Sequence, residues 1–392
     1  MIRVPLEYSI NIIVSDEAKD NLWLIMGFLV SFLHETLCGL FFLLLLLLMK
    51  RGAAGCIKAI FVLVVRSTII SPVIAVDVTG LSIMKWLLIF IFAANIVLLQ
   101  NVQHDVEKRI MQIVKLLLSA YILYISITAL SNSSFPVVSI FKSISYAFVF
   151  YAILKGIAIS HSSIDWIVFL HSVFSAFFIL SFITMPIMSL RQINIEYFQG
   201  IANHPNNFAI YAAAYVALLL NSMEKYPKFN KVMILLVLFM IYISRSRTAM
   251  FTCAALFFLY FFRLLRYRQK TAFYTIVAIT FVLIILYALF SEKIIGIAEG
   301  FIYKGNPDLL FSRNVQLDLF NERFSRSPIF GTGFMVPFVP NTKNFSFSFD
   351  LYVEHGNILF AVLGDTGVVG STKRSAAQYQ SIRRVFGKWS IK

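Results

Sequence analysis

Apolar runs near the length of a bilayer crossing recur along almost the whole of this chain, and no other feature restricts its fold so tightly. A span needs about 20 predominantly apolar residues, and it is helical because in lipid the backbone must satisfy its own hydrogen bonds. Candidate runs lie at about 22–49, 57–76, 81–100, 111–130, 137–154, 164–188, 207–222, 230–244, 248–263, 272–290 and 353–370. About 11 such runs predict an all-α fold, a polytopic transmembrane helix bundle. Composition agrees, since 59% of the residues are hydrophobic and 14% charged, whereas a soluble domain is about half apolar and a quarter charged. The first run follows Glu7, Asp16, Glu17 and Asp20 and is longer than a signal-peptide core, so it reads as a true span and not as a cleaved leader. No internal repeat or low-complexity linker divides the chain, so residues 1–392 read as a single membrane domain. Within it, residues 291–352 form one large outward-facing loop and residues 371–392 a basic cytoplasmic tail.

The net charge of +15 does not point to nucleic acid, because the cations fall in small groups between apolar runs and form no continuous basic face. They mark topology instead, since Lys and Arg collect in cytoplasmic loops. Alternate loops hold Lys50, Arg51 and Lys58; Lys108 and Arg109; Lys155; Lys225, Lys228 and Lys231; Arg263, Arg266, Arg268 and Lys270. The intervening segments 77–80 and 131–136 hold no Lys or Arg. Cys38, Cys56 and Cys253 lie in or beside apolar runs, with a number and spacing that suggest neither disulfides nor a metal site. They read as small packing residues.

Three outward segments break the pattern by being polar: 191–207, 244–247 and 291–352. In "ISRSRTAMF", Arg245 and Arg247 stand between two spans, on the side where arginine is scarce. They read either as side chains snorkelling to headgroups, as a cytoplasmic turn if the topology is inverted there, or as an anion site, since guanidinium binds phosphate oxygens through a planar fork. In "GIANHPNNFAIY", Pro205 disfavours helix at His204, and Asn206 or Asn207 can cap the following span. His204 then remains available to a sugar hydroxyl or a phosphate. The long loop carries "FSRNVQLDLFNERFSRSPIFGTGF", where Arg323 and Arg326 can share a helical face and Gly331 and Gly333 free a turn. Last comes "EHGNILFAVLGDTGVVG", whose Glu354, His355 and Asn357 precede a short apolar run interrupted by Asp365. A carboxylate beside an imidazole is what proton removal from a hydroxyl requires. The remaining polar groups within apolar runs, His34 with Glu35, Arg66 and His171, read as satisfied interior residues. The sequence offers no D-x-D triad, P-loop or paired zinc ligands, so no cofactor and no metal is expected.

In their order, "HPNNFA", "SRSRTAM", an arginine-bearing loop ending in "SPIFGTGF", and "EHGNILF" leading into "GDTGVVG" resemble the O-antigen polymerase and O-antigen ligase family of bacterial inner membranes. The likeness covers about residues 195–370. It implies a multi-pass glycosyltransferase of the inner (cytoplasmic) membrane, its active site facing the periplasm, that polymerises undecaprenyl-pyrophosphate-linked oligosaccharide repeats of an O-antigen or capsule. The implied substrate-binding residues are Arg245, Arg247, Arg313, Arg323, His204, Asn206 and Asn357, with His355 or Glu354 orienting or deprotonating the acceptor hydroxyl. Membrane lipids and a chain-length regulator are the implied partners; nucleic acid is not. Family members continue with another span after the G-x-x-G segment, whereas here the tail is polar and basic, which reads as a truncation.

Ligation to a lipid A core is the alternative within the family. A flippase-type transporter is the alternative outside it, and would account for Arg66, Lys142 and His171. Transporters tend to show repeated halves and short loops, so the loop of about 60 residues at 291–352 speaks for the enzyme. The sidedness has a direct check. Single cysteines placed through 244–247 and 291–352 are expected to react with impermeant thiol reagents from outside the cytoplasmic membrane; labelling from the cytoplasm alone would overturn the topology.

Overall fold

Apolar helices account for the architecture, and the breaks between them occur where a polar side chain caps the backbone or a proline or glycine redirects it. The computed structural model describes residues 16–69, 79–99, 101–102, 105–160, 163–186, 198–202, 205–267, 273–274, 277, 281, 314–336 and 362–368. Among the described residues there is no strand. Eleven α-helices carry labels here: α1 Asp16–Val30, α2 Glu35–Leu44, α3 Gly52–Ser67, α4 Ser82–Ala94, α5 Asp105–Asn132, α6 Pro136–Ser160, α7 Trp166–Ile183, α8 Pro205–Asn221, α9 Pro227–Ser244, α10 Arg247–Tyr267 and α11 Asn314–Arg326. Residues 362–368 form a further short helix. Among the described residues, six helical stretches, Glu35–Ser67, Ser82–Leu99 and those of α5, α6, α7 and α9, are long and apolar enough to cross a membrane. The protein is therefore an all-α membrane protein. The run expected at 272–290 lies mostly outside the described residues.

The first run is not one helix. Its continuity from 22 to 49 is broken at 31–34, where His34 turns extended and its Nδ1 accepts from the Thr36 amide at 3.2 Å, capping α2. His34 and Glu35 are exposed, not interior as the sequence suggested. A 3₁₀ segment, Leu45–Arg51, then leads into α3. Arg66 near the end of α3 is wholly buried and secures the break: its Nε donates to Ser31 Oγ at 2.8 Å, and its two terminal nitrogens to the carbonyls of Ser31 and Ile69, each at 3.0 Å. Its guanidinium also lies 4.8 Å from the centre of the Phe32 ring.

The described helices fall into two compact units. The first comprises Met1–Phe92 and Ser160–Gly305. In it α7 packs on α1 and α8, and α8 packs on α9 and α10. Their seam is aromatic. Phe178 stacks on Tyr215 at 5.3 Å between centroids, Phe177 meets Phe208 and Tyr211, and the Tyr215 hydroxyl pairs with Ser175 at 2.7 Å. His171 is an interior residue as expected, its Nε2 lying 2.7 Å from Ser222 Oγ. Arg263 donates to Asn221 Oδ1 at 3.3 Å, so the C-terminal ends of α8 and α10 share one end of this unit. The α9–α10 turn at 244–247 is consequently at the other end. All three cysteines are buried and none forms a disulfide.

The second unit comprises Ala93–Ile159 and Asn306–Lys392. Residues 133–135 join α5 to α6. Before α5, the chain takes one π-helical turn at Asn95–Leu99, and Lys155 donates to the Val97 carbonyl within it at 2.7 Å. Lys155, expected in a cytoplasmic loop, thus belongs to the body of α6.

Candidate active site

In the first unit, α9 ends because Arg245 adopts the left-handed conformation, φ 48° and ψ 29°, its amide donating to the Tyr242 carbonyl at 3.2 Å. Glycine or asparagine ordinarily fills such a position, and an arginine there is strained by about 1–3 kcal/mol. The next helix starts two residues later. Buried Ser246 caps it through an Oγ that accepts from the Ala249 amide at 3.4 Å, and its own amide donates to Ser244 Oγ at 3.3 Å. Arg247 is the first residue of α10 and is half-buried, while Arg245 is exposed. The two candidate cations therefore flank one capped, tightly wound turn.

In the second unit a larger construction stands at the 133–135 end of α5 and α6. Residues 327–336, which follow α11, lie against the short helix 362–368 along their backbones. The Thr332 amide donates to the Gly364 carbonyl at 3.0 Å, Gly333 to Asp365 at 3.2 Å, and Val368 to Pro328 at 3.0 Å. Two glycines permit the approach. Gly331 has φ +78°, and a Cβ on it would collide with the Asp365 backbone; Gly367 has φ +62°, and a Cβ on it would collide with Ile329. The "GTG" and "GDTG" signatures are thus two sides of one close contact.

An ion pair locks this clasp from within. Arg323 and Asp365 are 4% and 3% exposed, and Arg323 Nη2 lies 2.9 Å from Asp365 Oδ1. The same Nη2 donates to the Val336 carbonyl at 3.0 Å, and Nε donates to Thr332 Oγ1 at 3.1 Å, which in turn donates to the Gly364 carbonyl at 3.2 Å. The other carboxylate oxygen, Oδ2, accepts from the Met335 amide at 2.9 Å. Burial pushes the Arg323 guanidinium below its ordinary pKa, and the Asp365 charge and hydrogen bond oppose that shift. Removing either partner of such a pair costs about 3–5 kcal/mol, because it strands a buried charge.

The clasp is moored to α5 and α6. Tyr124 donates to the Thr366 carbonyl at 2.7 Å, Asn132 to Ser327 Oγ at 3.1 Å, and Lys142 Nζ to the Met335 carbonyl at 3.0 Å. Buried Ser139 accepts from the Phe334 amide at 2.8 Å, while the Phe334 ring meets Tyr121 and Tyr146 edge-on. Segments 131–136 and 291–352, expected on the same side of the membrane, therefore meet at 132 and 327.

Of the expected site residues, Arg245 and Arg247 flank the turn described above, and Arg323 directs its guanidinium to Asp365, Thr332 and Val336. Asn206 lies in the first turn of α8, which begins at Pro205, so Asn206 and Asn207 stand inside the helix and not at the cap position expected of them. His204, Arg313, Glu354, His355 and Asn357 lie outside the described residues. Asp365, Lys142, Tyr124 and Ser139 were not singled out as site residues, since each is a lone polar group in an apolar run. The signal available for Asp365 was its place between Gly364 and Gly367. Among the described residues, no group of three or more His, Cys, Asp or Glu is placed to hold a metal ion.

Residues 232–372 match a protein-family model described as O-Antigen ligase. The match takes in the α9–α10 turn, α11, the clasp and the "EHGN" segment. None of the curated proteins and none of the solved structures compared with the chain matches it.

The glycine contact yields a prediction. Gly331→Ala and Gly367→Ala are each expected to lower stability in detergent by on the order of 1–3 kcal/mol, through positive φ and backbone collision. Gly39→Ala, where a Cβ meets only Leu81 at 3.8 Å, is the tolerated control. Thermal unfolding of the three purified variants measures the difference.

Proposed function

From the premise that residues 232–372 match the O-antigen ligase family, we propose that this protein is a membrane glycosyltransferase that polymerises undecaprenyl-pyrophosphate-linked oligosaccharide units at the periplasmic face of a bacterial inner membrane. One observation carries the reading. That single match covers Arg245, Arg247, Arg313, Glu354, His355 and Asn357, the cations and the acid–base pair that such a transfer needs.

The chemistry follows from the residue types. An acceptor hydroxyl oxygen attacks the anomeric carbon of the donor; the bond from that carbon to the diphosphate oxygen breaks and its electron pair leaves with the diphosphate. Negative charge grows on the leaving group, so a fixed guanidinium stabilises the transition state more than the ground state. Arg313 takes this role, and Arg247 is assigned to the donor diphosphate on the same reasoning. His355, oriented by Glu354, receives the hydroxyl proton. Asn357 and His204 are assigned to sugar hydroxyls. Expulsion of diphosphate drives the reaction, so no nucleotide is called for.

Ligation of a finished chain to a lipid A core is the second reading, favoured by the description of the family itself. Polymerisation is preferred because the family's polymerases resemble this chain in being irregular and rich in phenylalanine, of which it has 40. The acceptor separates the two. Purified protein given only lipid-linked repeat units is expected to produce longer lipid-linked chains; product formed only when lipid A core is added would establish ligation.

The site is tested in cells that otherwise make single repeat units. Arg247→Ala, Arg313→Ala and His355→Ala are each expected to abolish chain lengthening, visible as loss of the ladder on gels, while the protein still inserts. Full-length chains from all three would reject the assignment.

A further inference from the structure

The clasp is held alongside two membrane-crossing helices and not above them. Both α5 and α6 are long and apolar enough to span, and residues 133–135 join them at one end. The apolar part of α5 ends at Leu130, and Tyr124 stands six residues before it, about 9 Å deeper at about 1.5 Å per residue. Side chains lean toward the N-terminus of their helix, which for α5 is the deeper direction. From there the Tyr124 hydroxyl donates to the Thr366 carbonyl at 2.7 Å and reaches the Phe330 carbonyl at 3.4 Å. On α6, Lys142 stands six residues after Pro136 and donates to the Met335 carbonyl at 3.0 Å. The hydrocarbon of one leaflet is about 15 Å thick, half of a core of about 30 Å. The chain after α11 therefore descends from Ser327, which meets Asn132 near the helix end, to about half the depth of that leaflet.

We infer that Pro328, Ile329, Phe330 and Val368 form a lipid-binding surface, the tip of the clasp lying in the hydrocarbon at the 133–135 end of α5 and α6, against the acyl chains of membrane lipids. The side chains favour lipid over water. Ile329, Phe330 and Val368 are 54%, 48% and 45% exposed, and the Val368 amide donates to the Pro328 carbonyl, which makes them one patch. The patch continues onto α5, where Leu123, Ile127 and Leu130 are exposed at helical spacing and Ile127 neighbours Tyr124 on the helix surface. The backbone is an independent argument. Away from helix, a chain is tolerated at membrane depth only where protein satisfies its polar groups. Five consecutive amides, from Gly331 to Met335, all donate: the first three to backbone carbonyls, the others to Ser139 and Asp365 side chains. Tyr124, Lys142 and Arg323 serve the carbonyls of Thr366, Met335 and Val336. Arg323, expected at the substrate, thus spends its donors inside the clasp. At the tip, Pro328 has no amide to satisfy. A loop in water needs none of this. Within 291–352, expected as one outward-facing loop, residues 328–330 are then the part withdrawn from water and from impermeant thiol reagents, whatever the protein catalyses.

The test uses the full chain in vesicles of phosphatidylcholine and phosphatidylglycerol, with Cys38, Cys56 and Cys253 replaced by alanine. One nitroxide at a time is attached at Phe330→Cys, Val368→Cys, Ile127→Cys and Ser131→Cys. Collisions with oxygen, which concentrates in hydrocarbon, and with a water-soluble nickel chelate report the surroundings of each label. Labels at 330 and 368 are expected to behave as the one at 127, rich in oxygen collisions and with nickel collisions about tenfold below those at 131, because a polar chelate partitions poorly into hydrocarbon. Nickel collisions at 330 equal to those at 131 would overturn the inference by placing the tip in water. Few collisions with either reagent would overturn it by placing protein over the patch.

A second arm keeps the native cysteines, and serves where the substituted chain does not accumulate folded. A benzophenone amino acid in place of Phe330, illuminated in the same vesicles, is expected to crosslink to phospholipid, read as one added lipid mass on the intact protein. Crosslinks within the protein alone would overturn the inference. Neither arm measures transfer, so both stand apart from the glycosyltransferase reading.

Discussion

The contact between Arg323 and Asp365 brings two charges out of water, and everything around it serves to make that tolerable. A buried ion pair gains little or nothing over a packed apolar pair, because desolvation offsets the attraction unless the remaining donors and acceptors are satisfied. Here the loop that the pair encloses supplies three such partners, the Thr332 hydroxyl and the Val336 carbonyl to Arg323 and the Met335 amide to Asp365. The loop could not reach those positions without Gly331, and the short helix could not receive it without Gly367. Charge, hydrogen bonds and glycine placement are therefore mutually dependent. Loss of any one exposes the others to a penalty of a few kcal/mol.

The sequence disclosed the scaffold of this arrangement well and its lock poorly. Apolar length was sufficient to locate α5, α6, α7 and α9, because in lipid a long apolar run has almost no alternative to helix. Charge alternation predicted the turn at 244–247 on the opposite side from the Lys225–Lys231 loop and 131–136 on the side of the long loop; in the structure the first two lie at opposite ends of α9, and Asn132 meets Ser327. The first span was misjudged for a local reason. A capping histidine can stop a helix in the midst of an apolar run when a buried arginine, Arg66, takes up the released carbonyl of Ser31. Hydropathy is blind to that.

Asp365 and Lys142 were hidden by a different limitation. A single charge in an apolar run signals only that a partner exists; it does not reveal which of several distant segments supplies it. Asp365 finds Arg323 across some forty residues of chain, and Lys142 finds a backbone carbonyl, which has no signature in sequence at all. Arg323 shows the converse. Arginine clustered in an outer loop reads naturally as an anion-binding group, and only its burial diverts it to an internal role. The glycines lie between these cases: their spacing was plain as a turn signal, but only the fold brings Gly331 to the Asp365 backbone and Gly367 to Ile329.

The central claim is that residues 327–336 and 362–368 form one cooperative clasp, and hydrogen exchange of the intact protein in nanodiscs tests it most directly. The amides of Thr332, Gly333 and Val368 all donate across the contact. The account predicts slow exchange in both segments, with peptides covering each opening together and to the same extent. Residues 327–336 exchanging as fast as an unprotected loop, while 362–368 remains protected, would contradict it.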